Sequence, residues 1–407
     1  MGQVIDTAEK LWSGALSTRD QQPVTSFLGL EPVADGLAFL SSFGNVSVLD
    51  TSAGLVLIDT GSFFLAQHNH AQIREWNAQP VRTAVYTHGH VDHAFGLPPF
   101  EAEAGAKIEV IAHPAVSERF ERYRLTAGYN EAINRRQFGM AVNWPTEYRF
   151  PDRTVDKRLA IEVGGEAIEI VHAKGETDDH LWVWLPQRKA LCTGDLFIWA
   201  SPNCGNPQKV QRFPREWAKA LREMASLGPE LLLPGHGLPI MGKDRCVQAL
   251  EETAELLETL VEQTLALMNE GATLDQVIHG VSAPARLLER PYLRPVYDEP
   301  EFIVRNLWRL YGGWYDGNPA RLKPAPDAAV ASEIARLAGV DALVARAEEL
   351  SAQGEHRLAC HLIELAHQAS PDAAAVKAAR STIYARRADT ETSLMAKGVF
   401  NATAEGR

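Results

Sequence analysis

The segment TAVYTHGHVDHAFG, which begins at Thr83, places three imidazoles and one carboxylate within six residues. It opens with β-branched and aromatic residues typical of a buried strand, and at Gly89 it passes into a polar loop. Burying four ionisable groups this close together is costly unless something compensates their charge and polarity. Neutral imidazole and carboxylate are ligands of divalent metals. The segment therefore predicts a metal site on a loop after a strand, with the candidate ligands His88, His90, Asp92 and His93.

The spacing of these residues indicates two metal ions. His88 and His90 are two apart on an extended segment and project to the same side, while Asp92 and His93 follow a turn and can face a second ion. Two metals about 3.5–4 Å apart can hold a hydroxide between them. The alternative is a solvated histidine-rich loop, and the flanking strands rich in Leu, Val and Ile argue against it.

Further ligands occur where later strands end. Glu176 follows a predicted strand over 168–172, Asp195 follows one over 190–193, and His236 follows one over 231–233. Because a carboxylate has two oxygens, Asp195 can bridge both ions. The predicted arrangement is His88, His90 and Glu176 on one ion, Asp92, His93 and His236 on the other, and Asp195 between them.

Other polar residues near these strand ends have two interpretations. Asp59, in the turn DTG, is either a hydrogen-bond partner of a metal-bound histidine or an ordinary turn residue. His172 and His180 are rival metal ligands or hydrogen-bonding partners of the site. Asp178 and Asp179 are expected to be solvated loop acids.

Composition excludes several classes of partner. The formal net charge of -12, without Lys/Arg runs, argues against nucleic acid. The four cysteines are scattered and form no C-x-x-C pair, which is typical of free thiols in a reducing compartment. No signal peptide is evident, and no run approaches the roughly 18 apolar residues of a membrane span. We therefore expect a cytoplasmic protein with no membrane partner.

The order of elements predicts two domains. Strands and helices alternate up to about residue 245, which is typical of a two-layer α/β sandwich with its site along one edge. Beyond that point apolar residues recur at spacings of three and four, so this half should be all α. The predicted domains are a catalytic domain over 1–245 and a helical domain over 246–407.

The motifs THGHVDH, IDTG, CTGD and PGHG together resemble the metallo-β-lactamase superfamily over roughly residues 35–240. That resemblance implies an αββα sandwich with two zinc ions per chain at its edge, although manganese or iron would also suit the carboxylate-rich ligand set. Glu176 stands where many members carry histidine, which is similar to the alkyl sulfatase branch. The stretch LYGGWYDGNPARLKP from Leu310 and the helices after it resemble the alkyl sulfatase dimerisation domain, which implies a homodimer formed through the helical half.

The resemblance implies hydrolysis of an anionic small-molecule ester, a sulfate ester, by a metal-bridging hydroxide. Asp92 would orient that hydroxide as well as bind metal. Arg212 is the preferred sulfate clamp because guanidinium binds oxyanions bidentately. The other substrate-binding candidates are Asn203, Asn206 and Lys209. Asp195 departs from the branch, which tends to carry glutamate at the bridging position.

Two other functions fit the same sequence. One is a metallo-hydrolase of another ester class, cutting a lactone, thioester or phosphoester, since fold and metals alone do not fix the substrate. The other is a non-catalytic helical adaptor with a vestigial metal domain. The presence of all seven ligand side chains argues against the adaptor.

Overall fold

The computed structural model describes residues 2–19, 21–103, 107–139, 141 and 143–406. The chain forms two compact units. The first comprises residues up to Ala127 together with Pro145–Gly313, and the second comprises Gly128–Trp144 and the chain from Trp314 onward. The predicted domains 1–245 and 246–407 stay a prediction; the compact unit that holds the sheets continues past residue 245.

The first unit contains a seven-stranded sheet in which the strands follow chain order. The first four strands are antiparallel neighbours, and the remaining three add in parallel. The strands are β1 Gly29–Ala34, β2 Leu37–Ser41, β3 Val46–Thr51, β4 Gly54–Ile58, β5 Val81–Val85, β6 Glu109–Ala112 and β7 Arg153–Thr154.

A second, six-stranded sheet has the order β13-β12-β11-β10-β9-β8. Its strands are β8 Arg158–Val163, β9 Glu166–His172, β10 Leu181–Leu185, β11 Ala190–Ile198, β12 Leu231–His236 and β13 Ile240–Met241. β11 and β12 are parallel, and the other neighbours are antiparallel.

One hydrophobic core joins the two sheets. Leu37 and Val56 of the first sheet belong to the same buried cluster as Ile170, Val183 and Leu191 of the second. Strands buried on both faces read as continuous apolar runs, which is why GLVLI in β4 and LWVWL in β10 show no polar alternation. The two sheets with flanking helices form the mixed α/β sandwich that the sequence predicts.

The helices continue this unit and build the second one. They are α1 Gln3–Trp12, α2 Ala66–Trp76, α3 Pro98–Glu101, α4 Ala115–Leu125, α5 Ala127–Phe138, α6 Pro214–Ser226, α7 Lys243–Asn269, α8 Leu274–Gly280, α9 Ala285–Leu288, α10 Pro300–Gly312, α11 Asp327–Ala338, α12 Val340–Ala352, α13 His356–Ala369, α14 Ala374–Thr390 and α15 Leu394–Ala404. The second unit holds most of α5 and all of α11 to α15. Its own core includes Leu343, Ile363 and Ile383. None of the helices in the described part of the chain is long and apolar enough to cross a membrane.

Several elements differ from the sequence expectation. Residues 1–35 show no clear periodicity, yet they form α1 and β1. The last two core strands are longer than predicted, so that Asp195 lies within β11 and His236 is the final residue of β12. The pairing of β11 with β12 shifts register around Gly194. This irregularity re-aims Asp195, in the way that bulges next to active sites do.

Parallel pairing sets where the polar residues lie. β4 and β5 are parallel neighbours in one sheet, and β11 and β12 are parallel neighbours in the other. Their carboxyl ends therefore lie at a common edge within each sheet. Asp59 follows β4, the His88–His93 loop follows β5, and β12 ends on His236.

The β2–β3 turn lies directly against the histidine loop at Gly44. This residue has φ +75°, and a Cβ there would lie 1.8 Å from the backbone carbonyl oxygen of Asp92. Replacing Gly44 by alanine combines left-handed backbone strain with a clash against rigid backbone. We expect Gly44→Ala to lower the free energy of unfolding by about 2–4 kcal/mol, measured by urea denaturation.

Gly14→Ala provides a matched control. Gly14 has a similar φ of +77°, but no atom lies within 4 Å of the position that a Cβ would take there. In Gly14→Ala only the cost of placing alanine at a positive φ should remain, which lowers the free energy of unfolding by about 1 kcal/mol. Equal losses for the two variants would show that the close approach to Asp92 contributes nothing to stability.

Candidate metal centre

The histidine loop after β5 is fixed by backbone contacts on both sides. The Thr87 N–H donates to Asp59 Oδ1 at 2.7 Å, and the Thr60 N–H donates to the His93 carbonyl at 2.7 Å. Within the loop, the His93 N–H donates to the His90 carbonyl at 3.1 Å. This turn separates the two halves of the motif and points their side chains in different directions.

The first half of the motif joins one cluster of ligand atoms, which we call group one. His88 Nε2 lies 2.8 Å from His90 Nδ1. Glu176 Oε1 lies 3.9 Å from that His90 nitrogen, and Asp195 Oδ2 lies 3.8 Å from His88 Nε2. All ligand atoms of group one lie within 4.8 Å of one another; its members are His88, His90, Glu176 and Asp195.

The second half of the motif joins group two, which consists of Asp92, His93 and His236. His236 Nε2 lies 3.3 Å from both His93 Nε2 and Asp92 Oδ2. Asp195 reaches this group as well, because its Oδ1 is 3.3 Å from His93 Nε2. The structure thus brings together all seven predicted ligand side chains and places Asp195 between the two groups.

Asp195 owes this position to its strand. Gly194 before it has φ +50°, and a Cβ there would lie 2.6 Å from Thr87 Oγ1 and 2.7 Å from the His180 ring. Only glycine fits, so β11 can pass directly beneath the histidine loop. The Asp195 N–H donates to His180 Nε2 at 3.1 Å. His180 therefore orients the ligand strand and belongs to neither ligand group.

Asp59 determines which nitrogen of His93 is available. Asp59 Oδ2 accepts from His93 Nδ1 at 2.8 Å and from the Thr87 hydroxyl at 2.8 Å. With its proton on Nδ1, neutral His93 presents the Nε2 lone pair to group two. Of the two interpretations of Asp59, the hydrogen-bond partner of a site histidine is the one that the structure shows.

The donor set fits divalent cations. Ring nitrogens of His88 and His90 face each other, as do those of His93 and His236, and each such pair needs a shared proton or a cation. Glu176 Oε2 and Asp195 Oδ1 are buried with no hydrogen-bond partner among the described residues. Buried acceptors of this kind are costly when unpaired. Cations bound by the two groups would satisfy them.

The electrostatics of group one favour neutral imidazoles. Burial lowers the pKa of His88 well below its ordinary value, and a charge on His93 lowers it further. Burial also lowers the pKa of His90, and the nearby Arg212 and Arg119 guanidinium groups act in the same direction. Neutral imidazole is the form that binds a metal.

The pKa values of the carboxylates Glu176 and Asp195 shift in opposite directions. Burial raises the pKa of Glu176 well above its usual range, against the effect of Arg212. Burial also acts to raise the pKa of Asp195, but His236 and His93 hold it well below the usual range. Burial alone would lower the pKa of His236, whereas Asp195 and Asp92 raise it to about 10. Without a cation, protons on the group-two imidazoles His93 and His236 compensate the carboxylates, so metal binding would displace protons.

The predicted substrate residues Arg212 and Asn203 both contact Glu176. Arg212 is 2% exposed; its Nη2 lies 3.2 Å from Glu176 Oε1, and its Nη1 donates to the Glu176 carbonyl. The Asn203 amide donates to Glu176 Oε1. Arg212 Nε is buried without a hydrogen-bond partner among the described residues. Both residues therefore support a predicted ligand, and one donor of Arg212 remains for another group.

Asn206 and Lys209 lie in the same segment. Asn206 is buried, and its Oδ1 accepts from the Gln208 backbone N–H at 3.0 Å, which is a local turn contact. Burial lowers the pKa of Lys209 to about 8, together with the charge of Arg212 and against Asp92 and Glu176. Lys209 thus lies within the electrostatic range of both ligand groups.

Sequence reasoning missed three neighbours of the site. The expectation of a solvated Asp179 is wrong, because this residue is fully buried and accepts from the Gly89 N–H at 3.1 Å and from Arg119 Nε at 2.6 Å. Arg119 itself gave no sequence signal. Burial and the charges of Glu176 and Asp92 raise the pKa of Tyr297, which places its ring near the ligand groups. His172 instead stacks on His113 at 3.9 Å between ring centroids.

Comparison with known proteins agrees with this geometry. The family description "Metallo-beta-lactamase superfamily" matches residues 41–236, and "Alkyl sulfatase dimerisation" matches residues 273–406. Two family models thus match successive parts of the chain, the metallo-beta-lactamase superfamily first and the alkyl sulfatase dimerisation region after it. The first match contains all seven residues of the two ligand groups. The resemblance inferred from the motifs is confirmed.

Similar proteins include several sulfatases. The chain is 24% identical over 343 residues to "Linear primary-alkylsulfatase" of Pseudomonas sp., covering 77% of this chain and 65% of that protein. It is 26% identical over 369 residues to "Alkyl/aryl-sulfatase BDS1" of Saccharomyces cerevisiae, covering 81% and 55%. The chain thus spans less than two thirds of the length of these relatives.

A solved structure shares the fold. The stereoselective inverting sec-alkylsulfatase Pisa1 from Pseudomonas sp. superposes with a TM-score of 0.84 at 23% identity, covering 93% of this chain and 66% of that one. The superfamily sandwich followed by a helical region is therefore common to both chains.

Asp59→Asn tests the support of group two. Asparagine tolerates the positive φ of 58° at this position, but its neutral amide no longer holds the Nδ1 proton of His93 with a charge. We expect zinc affinity to fall about 10–100-fold, measured by competition with a chromophoric chelator. Asp50→Asn on β3 is the control and should leave the affinity unchanged. If Asp59→Asn binds zinc with the affinity of the parent protein, Asp59 is an ordinary turn residue and does not support the site.

Proposed function

We propose that this protein is a dinuclear zinc hydrolase that cleaves a sulfate ester of a small organic molecule. The observation that carries the proposal is the convergence of His88, His90, Glu176, Asp195, Asp92, His93 and His236 in two adjacent groups of ligand atoms. Glutamate in group one suits the sulfatase branch, in agreement with the dimerisation region that the chain carries.

Each part of the site has a distinct task in this proposal. Two bound zinc ions would supply a bridging hydroxide at neutral pH and draw negative charge away from the ester. Asp92 is 3.3 Å from His236 Nε2 and partly exposed, so its carboxylate can orient a water at the open side of group two. Asp195 holds the two groups at a fixed separation from its strand.

Cationic side chains next to group one suit an anionic substrate. The unpartnered Nε of Arg212, in the described part of the chain, is a buried donor that a sulfate oxygen could accept from. Lys209 adds a second positive charge nearby. Such donors stabilise charge strongly in a buried site. Arg212 thus supports Glu176 with one part of its guanidinium and offers another part to the substrate.

Apolar rings surround the other side of the site. Phe43 packs edge-on against His236, with 5.8 Å between ring centroids, and Phe64 lies 5.5 Å from Phe43. Phe64 is 54% exposed and Phe27, beside Phe43, is 58% exposed. Contiguous exposed aromatic rings next to a polar centre are typical of ligand-binding surfaces. They fit an ester whose alcohol part is apolar.

The helical half is proposed to pair two chains. The region that matches the dimerisation family includes α11 to α15, and Leu322, Val330 and Leu337 are exposed there. Burying such residues against a second copy stabilises a dimer. A solution mass of one chain in sedimentation analysis would contradict this.

A substrate panel tests the proposed function. Zinc-loaded protein would be assayed with a short alkyl sulfate, a lactone, a thioester and a phosphate monoester that share the same alkyl group. We expect sulfate turnover, loss of it after chelation, and its return with about two zinc ions per chain. Preference for the lactone or thioester without sulfate turnover would favour the other ester classes, and a folded chain that takes up no zinc would favour the adaptor.

Arg212→Lys tests whether the Arg212 guanidinium binds the sulfate group of the substrate. Lysine keeps the charge near Glu176 but loses the second donor direction, a change worth about 1.5–3 kcal/mol for a charged hydrogen bond. The kcat/KM for the sulfate ester should fall about 10–100-fold, with zinc content unchanged. Arg290→Lys, at a surface arginine that pairs with Glu252, is the control. Parental kcat/KM in Arg212→Lys would rule Arg212 out as the clamp.

A further inference from the structure

A buried ion pair lies beneath the histidine loop. Arg119 of α4 is 3% exposed, and Asp179, in the loop between β9 and β10, is 0% exposed. Arg119 Nε donates to Asp179 Oδ2 at 2.6 Å, and Arg119 also donates to Asp178. A buried ion pair is weak evidence for stability, since apolar residues of equal volume often serve the fold as well. Its presence here therefore suggests a task other than stabilising the core.

The same carboxylate oxygen holds the peptide between two predicted ligands. Asp179 Oδ2 accepts the Gly89 N–H at 3.1 Å, and Gly89 separates His88 from His90. A Cβ on Gly89 would lie 2.9 Å from Arg119 Cδ and 3.0 Å from Asp179 Oδ2. The loop backbone thus lies in direct contact with the ion pair, and neither can shift without the other.

Asp179 also belongs to the loop that carries the other ligand of group one. Glu176 precedes it by three residues, and the adjacent His180 accepts the Asp195 N–H. One carboxylate oxygen therefore connects the His88–His90 loop to the Glu176–His180 loop. His88 and His90 flank the Gly89 that this connection holds, Asp195 is linked to it through His180, and Glu176 lies three residues earlier in the same loop as Asp179.

Group two has separate supports. His93 is held by Asp59. The turn that ends β12 at His236 is held by Asn45, whose Nδ2 donates to the carbonyls of Pro234 and Gly237 at 3.0 Å each. None of these three hydrogen bonds involves Asp179 or Arg119. The supports of His93 and His236 are therefore separate from the ion pair, and Asp195 is the ligand residue that reaches both groups.

We propose that Asp179 and Arg119 are positioning residues that set the spacing of His90 and Glu176, and thereby tune metal affinity more strongly at group one than at group two. This inference rests on the proposed dinuclear function. An ionised Asp179 accepts from Gly89 and Arg119 more strongly than a neutral carboxyl would. Although burial raises its pKa, Arg119 holds that pKa below the usual value. The charge of Arg119 thus favours the ionised form of Asp179 that connects the two loops.

Stepwise zinc affinities of full-length variants test this. Metal-free protein would be titrated with zinc against a chelator, and separately with cobalt by visible absorption. Asp179→Asn should weaken one of the two binding steps about 10–100-fold and leave the other within about two-fold. Asp59→Asn should weaken the opposite step, and the double variant should weaken both. Glu103→Gln is the matched control, because it breaks an Arg74 Nε–carboxylate contact of the same 2.6 Å away from both groups.

The outcomes separate the possible failures. If Asp179→Asn weakens both steps equally, neither step, or the step that Asp59→Asn weakens, the inference is wrong. If the parent chain binds no zinc or cobalt, the proposed function fails first. Should Asp179→Asn not fold, Arg119→Lys decides the matter: it keeps the charge, alters the geometry, and should weaken the same single step less. An unchanged group-one step in folded Arg119→Lys, with its metal-free unfolding temperature preserved, would overturn the proposal.

Discussion

Seven ionisable side chains, four imidazoles and three carboxylates, gather in two adjacent groups of ligand atoms at the edge of two sheets. A cluster of this kind is unfavourable in a protein interior unless cations or protons balance it. The surrounding structure is arranged around that requirement. Gly44 and Gly194 let backbone approach the cluster closely, and Asp59 and His180 fix the direction of their partners. Substituting any of these supporting residues changes how well the charges are balanced.

The centre of the site was predictable because its signals are local. Three histidines and an acid in one loop can be recognised from the sequence alone. Each of the remaining predicted ligands follows a segment whose residues predict a strand. Parallel neighbours bring such strand ends to one edge. The family motifs agree with this pattern. The architecture could be predicted for the same reason, since β4 and β10 are continuous apolar runs and β12 begins with one.

The parts that sequence reasoning missed depend on distant contacts. Asp179 reads as a loop acid, and only its pairing with Arg119, 60 residues earlier, makes it a buried one. Tyr297 reaches the site from the segment before α10, where nothing in the sequence distinguishes it from a core aromatic. β1 and α1 are short and mixed in polarity, so they gain their structure from neighbours in the fold. Asp195 was expected after a strand, and the register shift at Gly194 instead keeps it inside β11.

The order of the ligands along the chain bears on biosynthesis. The first predicted ligand is His88 and the last is His236, so the ribosome must synthesise every strand except the edge strand β13 before the predicted ligand set exists. Early in translation only the THGHVDH loop is exposed, and it lacks the strand-borne carboxylate of β11 that spans both groups. A cation that requires all seven predicted ligands could therefore bind only after these strands have been synthesised. Selection among cations would then be made by the folded site rather than by a nascent peptide.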